Sequence, residues 1–95
     1  MSRLQQYLEM AKDDDNKLAQ LTSSERQDLR RRLRLFVNND NPKIEPPVSY
    51  TTLIDYYCNV FGHNKHGYLK LDFGDEKVKE KMKNMAKDLL EFLDQ

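Results

Sequence analysis

The chain has 95 residues, of which 38% are apolar and 34% are charged, and its formal net charge is zero. This length predicts one domain spanning residues 1–95. The neutral balance is unlike that of a general polyanion binder, whose whole domain is usually basic. No apolar run reaches the roughly 18 residues of a membrane span, and the first residues lack the apolar core of a signal peptide. The single cysteine excludes an internal disulfide framework and fits a reducing cytosol, so we expect a cytoplasmic protein.

The first segment predicts an amphipathic helix that begins at about residue 3. One helical face carries Leu4, Tyr7, Leu8 and Ala11. Three adjacent carboxylates at 13–15 interrupt this face, because they repel one another and aspartate is a poor residue for a helix interior. Leu18 and Leu21 then resume the apolar face. The segment 3–20 is therefore either one helix with a polar middle or two short helices.

The second predicted helix begins near Thr22. Both Thr22 with Glu25 and Ser24 with Gln27 have the spacing of a capping box, in which two side chains bind the first unpaired amides of a helix. The apolar face that follows comprises Leu29, Leu33, Phe36 and Val37. An asparagine-rich run and Pro42 end this helix, since asparagine accepts the left-handed cap conformation and proline cannot continue the hydrogen-bond ladder.

Two further helices are predicted in the second half of the chain. The third follows two prolines, with Ser49 as its N-cap and Gly62 as its stop, and its apolar stripe comprises Tyr50, Leu53, Ile54, Tyr57, Cys58 and Phe61. The last helix begins near Asp75, whose charge favours a helix N-terminus. Its stripe is too broad for a coiled-coil seam, so we expect it to pack onto the domain; it comprises Val78, Met82, Met85, Ala86, Leu89, Leu90, Phe92 and Leu93.

Between these two helices the pattern predicts a β-strand over 67–74. Three apolar residues alternate there with two charged ones between two glycines: Gly67, Leu69, Lys70, Leu71, Asp72, Phe73 and Gly74. A lone strand leaves backbone groups unpaired, so its partner is either the internal stretch at 43–45 or a strand of another chain, which would make a homodimer. The predicted fold class is α+β and mainly helical, with about four helices and one short strand or small two-stranded sheet before the C-terminal helix.

The most distinctive surface feature is an arginine-rich helix over 24–37, where five arginines face two acids. On a helical wheel Arg30, Arg31 and Arg34 share one flank, whereas Arg32 lies on the other flank near Asp28. Guanidinium groups on one face can bind phosphates or the carboxylates of a protein equally well.

Leu35 projects near the middle of this exposed region. An apolar residue among arginines is more typical of a protein interface than of a phosphate track. Three interpretations stay open: an ordinary solvated helix face, contact with another protein, and nucleic-acid binding by Arg26, Arg30, Arg31 and Arg34.

Tyr56 and Tyr68 are candidate anchors for a second contact, because each falls on the polar side of its predicted element. Exposed tyrosines are frequent at interfaces, where they add contact area at low entropic cost. A stacking platform for single-stranded nucleic acid needs basic residues interleaved with the aromatic ones. We therefore interpret the aromatic residues as core plus protein contact.

No catalytic or metal motif stands out. Cys58, His63 and His66 could bind a metal together with Asp55 or Asp72, but their spacing matches no structural zinc pattern. Cys58 falls on an apolar stripe, where cysteine behaves as a small hydrophobe, and a catalytic cysteine would need an orienting group and an oxyanion hole. The glycines are dispersed and form no phosphate-binding fingerprint. We expect no enzyme, no metal and no cofactor.

The sequence thus predicts a small binding or regulatory protein, an inhibitor, adaptor or accessory factor, that acts through protein–protein contact. The predicted contact residues are Arg30, Arg31, Arg34 and Leu35, with Tyr56 and Tyr68 as a second choice. The alternative is a nucleic-acid-binding regulator that uses the helix 24–37. Chains this short are frequent among accessory proteins of phages and mobile elements, which is a general expectation and not a deduction from residues. Charge reversal at the three arginines is expected to abolish the contact with little change in thermal stability.

Overall fold

The structure, a computed structural model, describes residues 3–10, 18–38 and 46–94. Over these residues it forms five helices and no strand: α1 (Arg3–Met10), α2 (Ser23–Asn38), α3 (Tyr50–Phe61), α4 (Lys65–Leu69) and α5 (Glu76–Leu93). The described part of the chain is therefore all-α, and the predicted α+β class is wrong.

Helix α5 is the element around which the others pack, since it contacts α1, α2 and α3. It buries Met82, Met85, Ala86, Leu89, Phe92 and Leu93, which confirms the broad apolar stripe and its role in the core. The helix begins where the sequence predicts, because the Asp75 side chain accepts the Lys77 N–H at 2.8 Å and so pairs one of the free amides of the first turn.

Helices α2 and α3 also bury the faces that the sequence predicts. The buried positions are Leu29, Leu33 and Phe36 in α2, and Leu53, Ile54 and Cys58 in α3. The Ser49 hydroxyl caps α3 by accepting the Thr52 N–H at 3.2 Å. Gly62 ends α3 with a φ of 72°, a left-handed conformation that glycine adopts without a steric penalty. Both predicted boundaries are confirmed.

The N-terminal segment adds two side chains to the same core. Leu4 of α1 is buried, and Leu18, in the turn before α2, is completely buried in the core cluster. The interruption predicted at 13–15 lies outside the described residues. Of the run at 38–42 that is predicted to end the second helix, Asn38 is the last residue of α2 and 39–42 lie outside the described residues.

The predicted strand is replaced at its start by helix α4. The Asn64 side chain accepts the His66 N–H at 3.0 Å and caps this helix, so the chain turns at once instead of extending. Gly67 lies inside the helix. Leu69, predicted to face the core from a strand, ends α4 with 41% of its surface exposed.

Residues 70–75 then form turns. The Leu71 N–H donates to the Tyr68 carbonyl at 3.2 Å. The Asp72 carboxylate accepts the Gly74 N–H at 3.0 Å, the self-bonding that makes aspartate a turn residue. These local bonds pair backbone groups that a strand would offer to a partner. The basis for strand pairing, with a second copy or with the stretch at 43–45 outside the described residues, is thereby removed.

Two apolar residues of this segment, Leu71 and Phe73, nevertheless pack against the core. Phe73 stacks on Tyr50 of α3, with the ring centroids 5.0 Å apart, and Tyr50 meets Phe36 of α2 edge to face at 6.0 Å. Phe73 thus reaches the core from a turn, and an alternation of only three apolar residues does not distinguish that arrangement from a strand.

Candidate interaction surface

Helix α2 carries most of the predicted contact residues, and its first turn is fixed by the local sequence. The Thr22 N–H donates to the Glu25 carboxylate at 3.0 Å, and the Glu25 N–H donates to the Thr22 hydroxyl at 3.1 Å. This is the predicted capping box. The Thr22 backbone N–H is the main cause that lowers the pKa of Glu25, with the Thr22 side chain adding to it. Because Leu29 and Leu33 point into the core, the opposite face of α2 points outward.

Two of the five arginines turn back onto the protein backbone. Arg26 Nη1 donates to the Leu21 carbonyl at 2.6 Å. Arg30 Nη1 donates to the Leu93 carbonyl at 2.9 Å, and only 22% of the Arg30 side chain is exposed. Leu93 lies in the last turn of α5, whose unpaired carbonyls carry partial negative charge and favour a cation. Arg30 thus fastens α2 to the C-terminal end of α5.

The outer face of α2 consists of Arg31, Arg34 and Leu35. Their exposed fractions are 60% and 55% for the two arginine side chains and 50% for Leu35. Arg31 Nη2 lies 2.8 Å from Asp28 Oδ1, and Arg34 Nη2 lies 3.4 Å from Asp94 Oδ1. A guanidinium has five N–H donors, so one such pair leaves donors available for a further acceptor.

Asp28 also binds Arg32, on the other flank of the helix. Arg32 Nε lies 2.8 Å from Asp28 Oδ2, and Arg32 Nη1 donates to the Pro47 carbonyl at 3.4 Å. The hydrogen bond from Arg31, followed by that from Arg32, lowers the pKa of Asp28. The predicted pairing of Arg32 with an acid of its own flank is confirmed.

The structure therefore places the predicted contact residues of α2 in two different environments. Arg31, Arg34 and Leu35 share the outer face, whereas Arg30 is engaged by α5. The nucleic-acid set is divided in the same way, since Arg26 and Arg30 are held by backbone carbonyls. A carboxylate placed at residue 30 would face the Leu93 carbonyl and Asp94, so we now expect the triple charge reversal to lower stability as well as binding.

Tyr56 is less exposed than its place on the polar side of α3 suggests. It is partly buried and packs against the core cluster. Burial is the main cause that raises the pKa of its hydroxyl, and the charges of Glu25 and Asp55 raise it further. Two acids, Glu25 and Asp55, thus lie near this hydroxyl.

Tyr68 is also partly buried, in an aromatic group between α3 and α4. Its ring meets Tyr57 and His63, each with a centroid distance of 6.2 Å. Lys81 Nζ of α5 lies 5.2 Å from its centroid, a cation–π distance. Tyr68 therefore serves first to pack α4 against its neighbours.

The candidate metal ligands are not brought together. In the part of the chain that the structure describes, no three histidine, cysteine or acidic side chains converge. Cys58 is buried, as its place in the stripe predicts, and burial raises the pKa of its thiol. His63 instead stacks on Tyr57, with centroids 5.6 Å apart, and His66 is exposed.

Sequence reasoning missed an open groove of about 400 Å³ between the N-terminal halves of α2 and α3. Leu21, Leu29 and Val48 form its apolar part; its polar lining includes Ser24, Glu25, Asp28, Arg32 and Tyr56. The groove arises where the segment 47–49 packs beside α2, and no local pattern records that contact. Tyr56, a large side chain on the polar side of α3, was the only signal for it.

No protein-family model matches this chain, and no match was found among curated proteins or among solved structures. None of the helices in the described ranges is long and apolar enough to cross a membrane. Function is therefore inferred from the chain's own geometry.

Proposed function

We propose that this chain is a small non-enzymatic binding protein, an inhibitor, adaptor or accessory factor, that occupies a surface of another protein with the outer face of α2. The observation that carries this proposal is the position of Leu35. It lies half exposed on the side of α2 opposite the buried Leu33, about one helical turn from the exposed Arg31.

Leu35 contributes little to the core in this position. Covering its exposed half would stabilise a complex by about 1 kcal/mol, from the value of roughly 1.5–3 kcal/mol for a fully buried leucine. A single apolar contact of this size does not make an interface, but an apolar centre with a polar rim is the usual arrangement of one.

The rim defines the chemistry of the partner. Arg31 and Arg34 each bind one carboxylate at the edge of the face and have donors left for another. A complementary surface therefore offers an apolar depression flanked by carboxylates, which bind guanidinium groups in a bidentate manner. Asp28 and Asp94 neutralise part of the positive charge, which disfavours non-specific attraction to polyanions.

Nucleic acid is the less favoured partner. Arg26 and Arg30 are occupied by backbone carbonyls, so two arginines of the predicted four face outward, each with an acid beside it. Phosphate binding of this kind depends on several cations along one track and falls steeply with salt.

The test uses affinity capture from host lysate with quantitative mass spectrometry, followed by binding of the purified partner. The probe variants are Leu35→Ser and the pair Arg31→Glu with Arg34→Glu. The matched controls are Leu69→Ser, at the other exposed leucine of the described residues, and Lys77→Glu with Lys87→Glu, which changes the net charge equally on exposed positions of α5. We expect a partner retained by the wild type and both controls and lost by both probes. A partner bound equally by all five proteins would remove the outer face of α2 from the interface.

A further inference from the structure

The groove between α2 and α3 is lined by a carboxylate, that of Glu25, that forms no ion pair with a basic side chain of the described residues. Arg32 is engaged twice, by Asp28 and by the Pro47 carbonyl. Among the described residues no basic side chain forms an ion pair with Glu25, whose carboxylate accepts only the Thr22 N–H of the capping box. Asp28, the other carboxylate that lines the groove, is paired with Arg32 and also with Arg31, so Glu25 is the lining carboxylate without a basic partner among the described residues.

Tyr56 lines the same groove. The pKa of its hydroxyl is raised by burial and further by the charges of Glu25 and Asp55, so the charges that act on this group are negative. The lining of the groove also includes the apolar side chains of Leu21 and Val48. A negative end beside an apolar wall suits a ligand with an aliphatic body and a cationic tip.

The form of the groove indicates how such a ligand is presented. Its volume, about 400 Å³, lies at the small end of the roughly 300–1,000 Å³ of ligand pockets. The groove is open, so it cannot enclose most of a small free amine in the way that a closed pocket does. A side chain attached to a longer peptide gains further contact from its neighbours along the open length.

We propose that this groove binds a lysine or arginine side chain presented by an extended peptide segment of a partner protein. The aliphatic part of the side chain lies on Leu21 and Val48, and its charged end meets Glu25 beside the Tyr56 hydroxyl. This proposal does not use Leu35 or Arg34, although Asp28 lines the groove and also binds Arg31 of the outer face. The partner segment carries a basic residue between apolar ones, whereas the outer face of α2 calls for carboxylates.

The experiment is a titration of the ¹⁵N-labelled full chain followed by amide chemical shifts. The probes are blocked leucyl-lysyl-leucine and its glutaminyl counterpart, which differ in the charge of the central residue. We expect the lysyl peptide to shift amides at 24–28, 48–49 and 56 and to bind about threefold to tenfold more tightly than the glutaminyl peptide, the range for a partly exposed charge pair.

Glu25→Gln is the decisive variant, because glutamine is accepted at this position of a capping box and only the charge is removed. We expect it to abolish the preference for lysine and to leave the affinity for the glutaminyl peptide unchanged. Glu80→Gln, at an exposed position of α5, is the matched control and should behave as the wild type. Thermal unfolding of both variants checks that the fold is retained.

A second variant, Ser24→Lys, places a cation at the groove and leaves the capping pair of Thr22 and Glu25 unchanged. We expect it to lower the affinity for the lysyl peptide by about threefold to tenfold. The proposal is overturned if neither peptide shifts the groove amides at millimolar concentration. It is equally overturned if the two peptides bind alike, or if either Glu25→Gln or Ser24→Lys keeps the lysine preference of the wild type. None of these results bears on Leu35, so this proposal and the interface centred on Leu35 are tested independently.

Discussion

The two sides of α2 use the same residue type in opposite ways. On the side toward α5, Arg30 is mostly covered and donates to the Leu93 carbonyl. On the outer side, Arg31 is 60% exposed and binds Asp28, one turn away on the same helix. The leucines divide likewise, since Leu33 is completely buried and Leu35 is half exposed. The role of each side chain is set by what the tertiary fold brings within reach, and the inner side supports the fold while the outer side is available to a partner.

Truncation of the two leucines tests this contrast most strongly. Leu33→Ala should lower the free energy of unfolding by about 2–5 kcal/mol, because it removes a completely buried side chain and leaves a cavity. Leu35→Ala should change it by no more than about 0.5 kcal/mol, the usual range for a surface position. Urea unfolding followed by circular dichroism measures both values under identical conditions. Equal destabilisation by the two substitutions would mean that Leu35 belongs to the core, and the proposed interface would lose its centre.

The arginines give the next largest difference. Arg30→Met keeps the aliphatic stem but loses the charged hydrogen bond to the C-terminal turn of α5, at an expected cost of about 1–2 kcal/mol. Arg31→Met loses an exposed ion pair within one helix, at an expected cost of about 0.5 kcal/mol or less. The same unfolding measurement compares them.

Salt separates the two contacts further. The Arg31 contribution should decrease at high salt, whereas the partly covered Arg30 contact should persist. If Arg30→Met changed the free energy of unfolding as little as Arg31→Met does, the Arg30 side chain would again be a candidate for contact with a partner.

The long helices were predictable because their signals repeat. The apolar stripes of α2, α3 and α5 each recur over three or more turns, so one discordant residue does not hide the 3.6-residue period. Their boundaries depend on neighbours in sequence: Thr22 with Glu25, Ser49 with Thr52, and Asp75 with Lys77. Such short-range bonds can be read from spacing alone.

The strand predicted over 67–74 was wrong because its apolar pattern is too short to repeat. Three alternating apolar residues are too few to establish a period, and the Asn64 cap and the Asp72 turn, each a bond between near neighbours, decided the local conformation. An alternation this short should be weighed against such polar residues before a strand is assigned.

The binding of Arg30 by α5 could not be predicted from the sequence. Arg30 meets a carbonyl 63 residues away in the chain, and only the packing of α2 on α5 makes that contact. The groove has the same origin, since residues 47–49 form one of its walls. Sequence thus indicated that the arginine-rich helix has an exposed face and placed Leu35 on it, but not which arginines share that face.

The smallest expected effect concerns two acids of α2, Glu25 and Asp28, which also differ in what they contact. The pKa of Glu25 is lowered from its ordinary value of 4.5 chiefly by the Thr22 backbone N–H, and that of Asp28 is lowered from 3.8 chiefly by Arg31. The folded chain therefore holds both charges to lower pH than the unfolded chain does. Each contribution is complete above the ordinary value and is lost as the pH falls through the lowered one.

Glu25→Gln and Asp28→Asn remove these contributions one at a time. For each variant, the difference in free energy of unfolding from the wild type should be largest near about pH 6 and narrow on acidification to about pH 3. A difference that stays constant over this range would contradict the assigned contacts. Salt of about 1 M at neutral pH should shrink the Asp28→Asn difference more than the Glu25→Gln difference, because the partners of Asp28 are solvated cations and the partner of Glu25 is a backbone amide. An equal response to salt would mean that Glu25 also acts through a distant cation, which would remove the unbalanced charge on which the groove's preference for lysine depends.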